Sequence, residues 1–234
     1  LDLADIRHDP FSYYTLDNIF PEEFYQTLRN NLPDIKDMKE LKHKASKRSD
    51  DTYARRLLEI RSNDELKQIP ENIRGPWKTL WRIANSEEYQ KKVFRMLKPY
   101  LKQRFQKRKV QPSEIRVNMV ITRDLDQYKI QVHPDTARKI VTMQFYLPPD
   151  DDHTDLGTIF HRKTPKNKRK SQRDKDKYPI LEQVPFAKNH GYGFAVGEKS
   201  FHSVDFDYEL MSEDVLYYMD AHKIDFANFI GHSM

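Results

Sequence analysis

The chain has 234 residues, 37% of them hydrophobic and 33% charged, with a mean hydropathy of −0.91; no stretch approaches the roughly 20 apolar residues of a membrane span, so a transmembrane protein is excluded. Cysteine is absent, which removes disulfides, thiolate metal sites and cysteine nucleophiles together and fits a reducing compartment, so a cytoplasmic location is expected. The net charge of +5 is concentrated rather than spread: His161 to Lys177 holds nine Lys/Arg and two Asp, a local +7, and leaves −2 for everything else.

The start, Leu1-Asp2-Leu3-Ala4-Asp5, has neither the basic opening nor the apolar run of a secretory signal. Phe11 to Phe20 is aromatic and alternating, which predicts a strand, and Pro21-Glu22-Glu23 opens a helix through Leu28, with proline at a helix start and acids in its first turn. Leu32-Pro33-Asp34 ends it, and the polar run Lys36 to Asp51 predicts a loop. Tyr53 to Ile60, Trp77 to Ala84 and Glu87 to Phe105 carry apolar residues at helical spacing, the last interrupted by Pro99.

From Glu114 the period shifts towards two. Ile115 to Thr122, Tyr128 to His133, Ile140 to Leu147, Tyr192 to Val196, Ser200 to Val204 and Val215 to Met219 read as short strands. The length fits one domain, 1–234: a helix-rich support region over 1–110 and a β core over 111–234 interrupted by the basic insertion 161–177. The fold class predicted is mainly β with N-terminal helices (α+β), an antiparallel sandwich or barrel-like roll.

The chemistry centres on His133 and Asp135. Simple alternation puts Lys129, Gln131, His133 and Asp135 on one face of a strand and Tyr128, Ile130 and Val132 on the other. An imidazole and a carboxylate two residues apart supply two ligands of a 2-His-1-carboxylate iron(II) site, and His202, in a distant predicted strand, is the best candidate for the third. A second His-x-Asp triplet, His153-Thr154-Asp155, follows Pro148-Pro149 with no alternating strand to hold it rigid, so it is set aside. The bland alternative is a strand-end pair in which Asp135 orients His133 or caps a turn, with His202 a sheet histidine.

The runs YKIQVHPDTARKIVTMQFYLPPD, LGTIFHRK and GYGFAVGEKSFHSV, with the opening SYYTLDNIFPEEFYQTLRNNLP, resemble the 2-oxoglutarate and iron(II)-dependent oxygenases, particularly their prolyl-hydroxylase-like branch. The resemblance implies a double-stranded β-helix (jelly-roll) core, with His133, Asp135 and His202 as the catalytic iron ligands and 2-oxoglutarate as co-substrate; ascorbate is the auxiliary reductant it allows. Tyr146 and Tyr128 match tyrosines at the family's co-substrate and pre-motif positions, and Thr142 and Gln144 share the face of Tyr146. The family usually holds the distal carboxylate of 2-oxoglutarate with a basic residue about ten residues beyond the distal histidine, where this chain has Tyr208 to Asp214 and no Lys or Arg; Lys139 or Arg123 is the expected substitute, Arg138 and Lys199 being further cations near the two motifs.

The activity implied is a dioxygenase, an oxidoreductase that hydroxylates a C–H bond of a peptidyl or small-molecule substrate, and Asp135 favours hydroxylation over halogenation. An acidic partner could be attracted by the basic insertion, although such a charge run reads first as a solvated loop. Relatives acting on nucleic acid usually carry paired arginines after the distal histidine; their absence disfavours that substrate, and the basic insertion keeps it open. The alternative is a degenerate β-sandwich module that binds nucleic acid or an acidic protein through its basic loop.

Overall fold

The computed structural model describes residues 5–43, 47–48, 50–108, 115–125, 128, 130–168, 177–204 and 226–231. Among them the chain forms β1 (Asp5–Arg7), β2 (Tyr13–Leu16), α1 (Glu22–Asn30), β3 (Lys39–Glu40), β4 (Arg55–Ile60), α2 (Arg74–Ala84), α3 (Glu87–Met96) and α4 (Lys98–Arg108). There follow β5 (Met119–Asp124), β6 (Ile130–Pro134), β7 (Val141–Tyr146), β8 (Ile159–His161), β9 (Ile180–Gln183), β10 (Gly191–Ala195), β11 (Phe201–Val204) and β12 (Phe226–Gly231). The strand expected at Val215 to Met219 lies outside the described residues. No described helix is long and apolar enough to cross a membrane.

The helices start and stop where the sequence chemistry directs. α1 begins behind Pro21 with Glu22 and Glu23 in its first turn, and α3 begins behind Ser86, whose hydroxyl accepts a hydrogen bond from the Tyr89 amide. Pro99 does split the third predicted helix: α3 closes on Leu97, and the proline falls in the first turn of α4, where its missing amide hydrogen is harmless. Trp77, Leu80, Ala84, Val93, Leu97 and Leu101 bury against Val141, Met143 and Phe145, the odd-numbered face of β7.

Tyr53 to Ile60 is not helical. Leu57, Leu58 and Ile60 have a spacing that a short apolar run can offer to either structure. Pairing decides: β4 lies antiparallel on β5 from Arg55↔Asp124 to Ile60↔Met119. Leu58 and Ile60 thereby join the helix-side core, while Arg55, Leu57 and Glu59 fall on the opposite face with Asp124, Thr122 and Val120.

All strand pairs are antiparallel and make two sheets. The larger has the order β1-β2-β10-β7-β12-β5-β4-β3, the smaller β6-β11-β8-β9. From β5 onward the chain crosses between them repeatedly: β5, β7, β10 and β12 lie in the larger sheet, β6, β8, β9 and β11 in the smaller. The larger sheet therefore has two buried faces. One packs on the helices, and the other meets an aromatic cluster that includes Phe11, Tyr13, Tyr128, Tyr146, Phe160, Tyr192 and Phe194. This mainly β, antiparallel architecture with helices laid on it is the class predicted.

Candidate metal centre

β6 and β11 run side by side with His133 directly opposite His202, and their imidazole centroids lie 4.4 Å apart. Each Nδ1 sits on a carbonyl two residues back, His133 on Gln131 O at 2.9 Å and His202 on Ser200 O at 3.1 Å. A carbonyl only accepts, so each Nδ1 carries the proton and each Nε2 keeps its lone pair for a cation. Asp135 follows the last residue of β6, and His133, Asp135 and His202 each offer one ligand atom within 4.8 Å of the other two. No other such group of three occurs among the described residues. His153, by contrast, caps a short 3-10 turn, Thr154–Leu156, rather than standing on a strand.

Both oxygens of Asp135 are held. Lys139 Nζ donates to Oδ1 at 2.8 Å and Thr142 Oγ1 to Oδ2 at 2.6 Å. A carboxylate oxygen has two lone-pair directions, so each of these bonds leaves one for a metal. Burial pushes the Asp135 carboxyl up, but Lys139, His202 and the Thr142 hydroxyl outweigh it and hold the group below the usual carboxylate range. Burial lowers His202 to about 4; His133 and Lys139 push the same way, against Asp135 and the Ser200 carbonyl. At neutral pH His202 is thus uncharged and Asp135 ionised, the protonation states that cation binding requires.

A consequence for stability follows. A histidine whose folded pKa lies below its ordinary 6.5 is protonated more readily in the unfolded chain, so its contribution is complete above 6.5 and is lost as pH falls towards 4. Asp135 acts in the same sense but further into acid, below the ordinary carboxylate value. The melting temperature of metal-free protein is expected to fall between pH 6.5 and 4.5, by the equivalent of a few kcal/mol for His202, and the fall is expected to flatten in His202→Leu. Parallel profiles for the two proteins would contradict the buried neutral imidazole.

The strand containing His133 departs from simple alternation. His202 pairs with His133 but Val204 with Ile130, so Gln131 and Val132 together oppose Ser203 alone, a β-bulge that reverses the parity of the strand. Tyr128, expected to point away from His133, is instead buried in the inter-sheet aromatic cluster, which Ile130 also packs against. Lys129 lies outside the described residues.

Thr142, Gln144 and Tyr146 share the inner face of β7, as expected, and form a polar stripe leading away from Asp135. Gln144 Oε1 accepts from the Tyr192 hydroxyl at 2.6 Å, Thr158 Oγ1 lies 3.0 Å from the same hydroxyl, and the Tyr146 hydroxyl accepts from the Thr158 amide at 2.9 Å. Burial raises Tyr146 to about 12 and Tyr192 well above its usual value, so both remain protonated hydrogen-bonding groups. Tyr192 and Thr158 were not among the expected site residues, although Tyr192 shares the alternating face of Phe194 in β10, and Phe194 lies 5.0 Å from the His202 ring. Lys139 stands at the centre itself. Arg123 lies on the helix-side face of β5 with Met119 and Ile121 and pairs with Arg56, so the fold does not bring it to the histidines. The buried cation on the inner face is Arg55, whose guanidinium grips both Asp124 oxygens and lies 4.0 Å from the Tyr128 ring centroid; it was hidden by the helical reading of β4.

No family model and no curated protein matches this sequence. Solved structures do. A prolyl-4-hydroxylase from Pseudomonas putida superposes with a TM-score of 0.50 at 8% identity, covering 94% of this chain and 90% of that one. A Trichoplax adhaerens prolyl hydroxylase, solved in complex with a hypoxia inducible factor oxygen degradation domain peptide fragment, gives 0.43 at 8% identity, with 94% and 81% covered. A rice dioxygenase for auxin oxidation gives 0.48 at 10% identity, with 95% and 73% covered. The first of these carries a statement about architecture alone: the chain has the fold of that prolyl-4-hydroxylase.

Proposed function

We propose that the chain is a 2-oxoglutarate-dependent non-haem iron dioxygenase, a single domain whose β core is a double-stranded β-helix, and that it hydroxylates a C–H bond of a peptidyl or small-molecule substrate. One observation carries the reading: two imidazoles from paired strands and one carboxylate converge with their ligand atoms within 4.8 Å, and both Nδ1 atoms are committed to carbonyls. Two imidazoles and one carboxylate are the donor set that non-haem iron(II) oxygenases use. Bound iron and 2-oxoglutarate would supply dioxygen activation coupled to decarboxylation of the keto acid to succinate.

The protein's own residues bind, orient and exclude water. His133 and His202 present Nε2, and Thr142 and Lys139 fix the plane of Asp135 and so the direction of its remaining lone pairs. Lys139 adds positive charge where an anionic co-substrate would approach. The hydroxyls of Tyr146 and Tyr192 and the amide of Gln144 give the co-substrate's polar end hydrogen-bonding partners at no cost in charge, and Phe160 and Phe194 keep the surroundings dry. With no Lys or Arg in β12, Lys139 is the cation we assign to the co-substrate, in place of one on the last strand.

The direct test is succinate formation from 2-oxoglutarate by purified protein under air, with and without Fe(II). Iron-dependent succinate, uncoupled from any substrate, is expected. Its absence in protein that is folded and loaded with iron would overturn the reading.

A further inference from the structure

A groove of about 680 Å³ is lined by the described ends of the basic insertion, Arg162 to Lys166 and Lys177, together with Asp9, Pro10 and Lys199. Among the described residues five cations line it, Arg162, Lys163, Lys166, Lys177 and Lys199, against one acid, Asp9. Arg162 takes Asp9 in a two-pronged ion pair, Nη1 to Oδ1 at 3.2 Å and Nη2 to Oδ2 at 2.8 Å, so that acid is engaged by Arg162. Lys163 and Lys166 have no carboxylate partner among the described residues. Lys163 Nζ stands 5.3 Å from the Phe201 ring centroid and Lys177 Nζ 5.2 Å from that of Tyr178, while the two rings lie 4.9 Å apart. The aliphatic stems therefore rest on an aromatic floor that holds the ammonium groups at the groove's surface.

The groove adjoins the candidate metal centre. Phe201 and His202 are consecutive on β11 and face opposite sides of the sheet, Phe201 on Tyr178 and His202 on Phe194. Lys199, which also lines the groove, stands three residues before His202, in the turn that leads into β11.

We propose that this groove binds an acidic segment of a peptide substrate, placing Asp or Glu side chains on Lys163, Lys166 and their neighbours while an adjoining part of the same chain reaches the metal centre. This deepens the dioxygenase reading and rests on it. A peptide fits better than a nucleic acid on two counts. The chain outside His161 to Lys177 carries a net −2, so the excess positive charge that would attract successive phosphates is concentrated in this one insertion. Phe201 is buried and both rings are overlain by lysines, so the groove offers bases no open stacking platform.

The test is fluorescence anisotropy on the full, iron-free chain with fluorescein-labelled deca-glutamate, deca-glutamine and a ten-nucleotide oligothymidylate. Deca-glutamate is expected to bind more tightly than either of the others, and its affinity to drop about tenfold or more in Lys163→Glu/Lys166→Glu and at high salt. Circular dichroism confirms that the variant is folded, and Lys163→Gln/Lys166→Gln should show an intermediate loss. Tighter oligothymidylate binding would reassign the groove to nucleic acid and overturn the proposal, as would deca-glutamate binding that is weak or indifferent to the substitutions. Iron-dependent succinate formation without substrate is measured on the same preparations: wild-type protein that turns over but does not bind deca-glutamate removes the groove proposal alone, whereas wild-type protein without turnover removes the dioxygenase reading.

Discussion

Replacing His133 by alanine is expected to reduce iron-dependent succinate formation to background and to weaken Fe(II) binding by more than the roughly 10–100-fold typical of a lost supporting residue. The expectation follows from the number of donors, since three side chains are placed to hold a cation and the substitution leaves two. The fold should survive. His133 is half-buried on β6, at the edge of the smaller sheet, and its loss leaves no buried charge behind. Thr142→Val makes the useful companion, because it removes only the hydroxyl that steadies Asp135; iron affinity should fall within that 10–100-fold range. Turnover by His133→Ala at the wild-type rate would show that the triad is a sheet-end cluster and no more.

The second large effect concerns stability. Arg55 and Asp124 form an ion pair on the inner face of the larger sheet, where both are almost fully buried, with Nη2 2.6 Å from Oδ2 and the guanidinium against Tyr128. Arg55→Met strands a buried carboxylate, which costs about 3–5 kcal/mol. At roughly 2–4 °C per kcal/mol for a domain of this size, the melting temperature should fall by about 6–20 °C. Arg55→Met/Asp124→Leu should recover much of the loss, because a buried ion pair replaced whole by apolar groups is often neutral. A single variant that melts within a degree or two of wild type would mean that Asp124 finds water or another partner.

The candidate triad was readable because its signals are local. A two-residue spacing in an alternating run placed His133 beside Asp135, and a second short strand offered His202. What alternation could not supply is the bulge opposite Ser203, since a register shift depends on which strand is the neighbour; hence Tyr128 was expected on the wrong face. β4 was misread for a related reason, because Leu57, Leu58 and Ile60 fit either period until β5 is laid beside them. Arg55 went unnoticed with it.

Lys139 illustrates the limit on the chemical side. The sequence identifies a lysine four residues after Asp135, but only the turn between β6 and β7 brings its Nζ onto Oδ1. Arg123 lies ten residues before His133, yet one position along β5 decides its face, and it turns towards the helices. Thr158 and Tyr192 show the same dependence, because their hydrogen bonds cross from the approach to β8 and from β10 onto Tyr146 and Gln144 of β7, and no spacing within one strand encodes them.

The central claim is that one cation is held jointly by two sheet histidines and the aspartate beside them. Anomalous scattering from crystals grown or soaked anaerobically with Fe(II) tests it directly. A single iron peak is expected at about 2.0–2.3 Å from Nε2 of His133, Nε2 of His202 and one Asp135 oxygen; a peak on His153 or at the basic groove, with those three side chains bare, would contradict it.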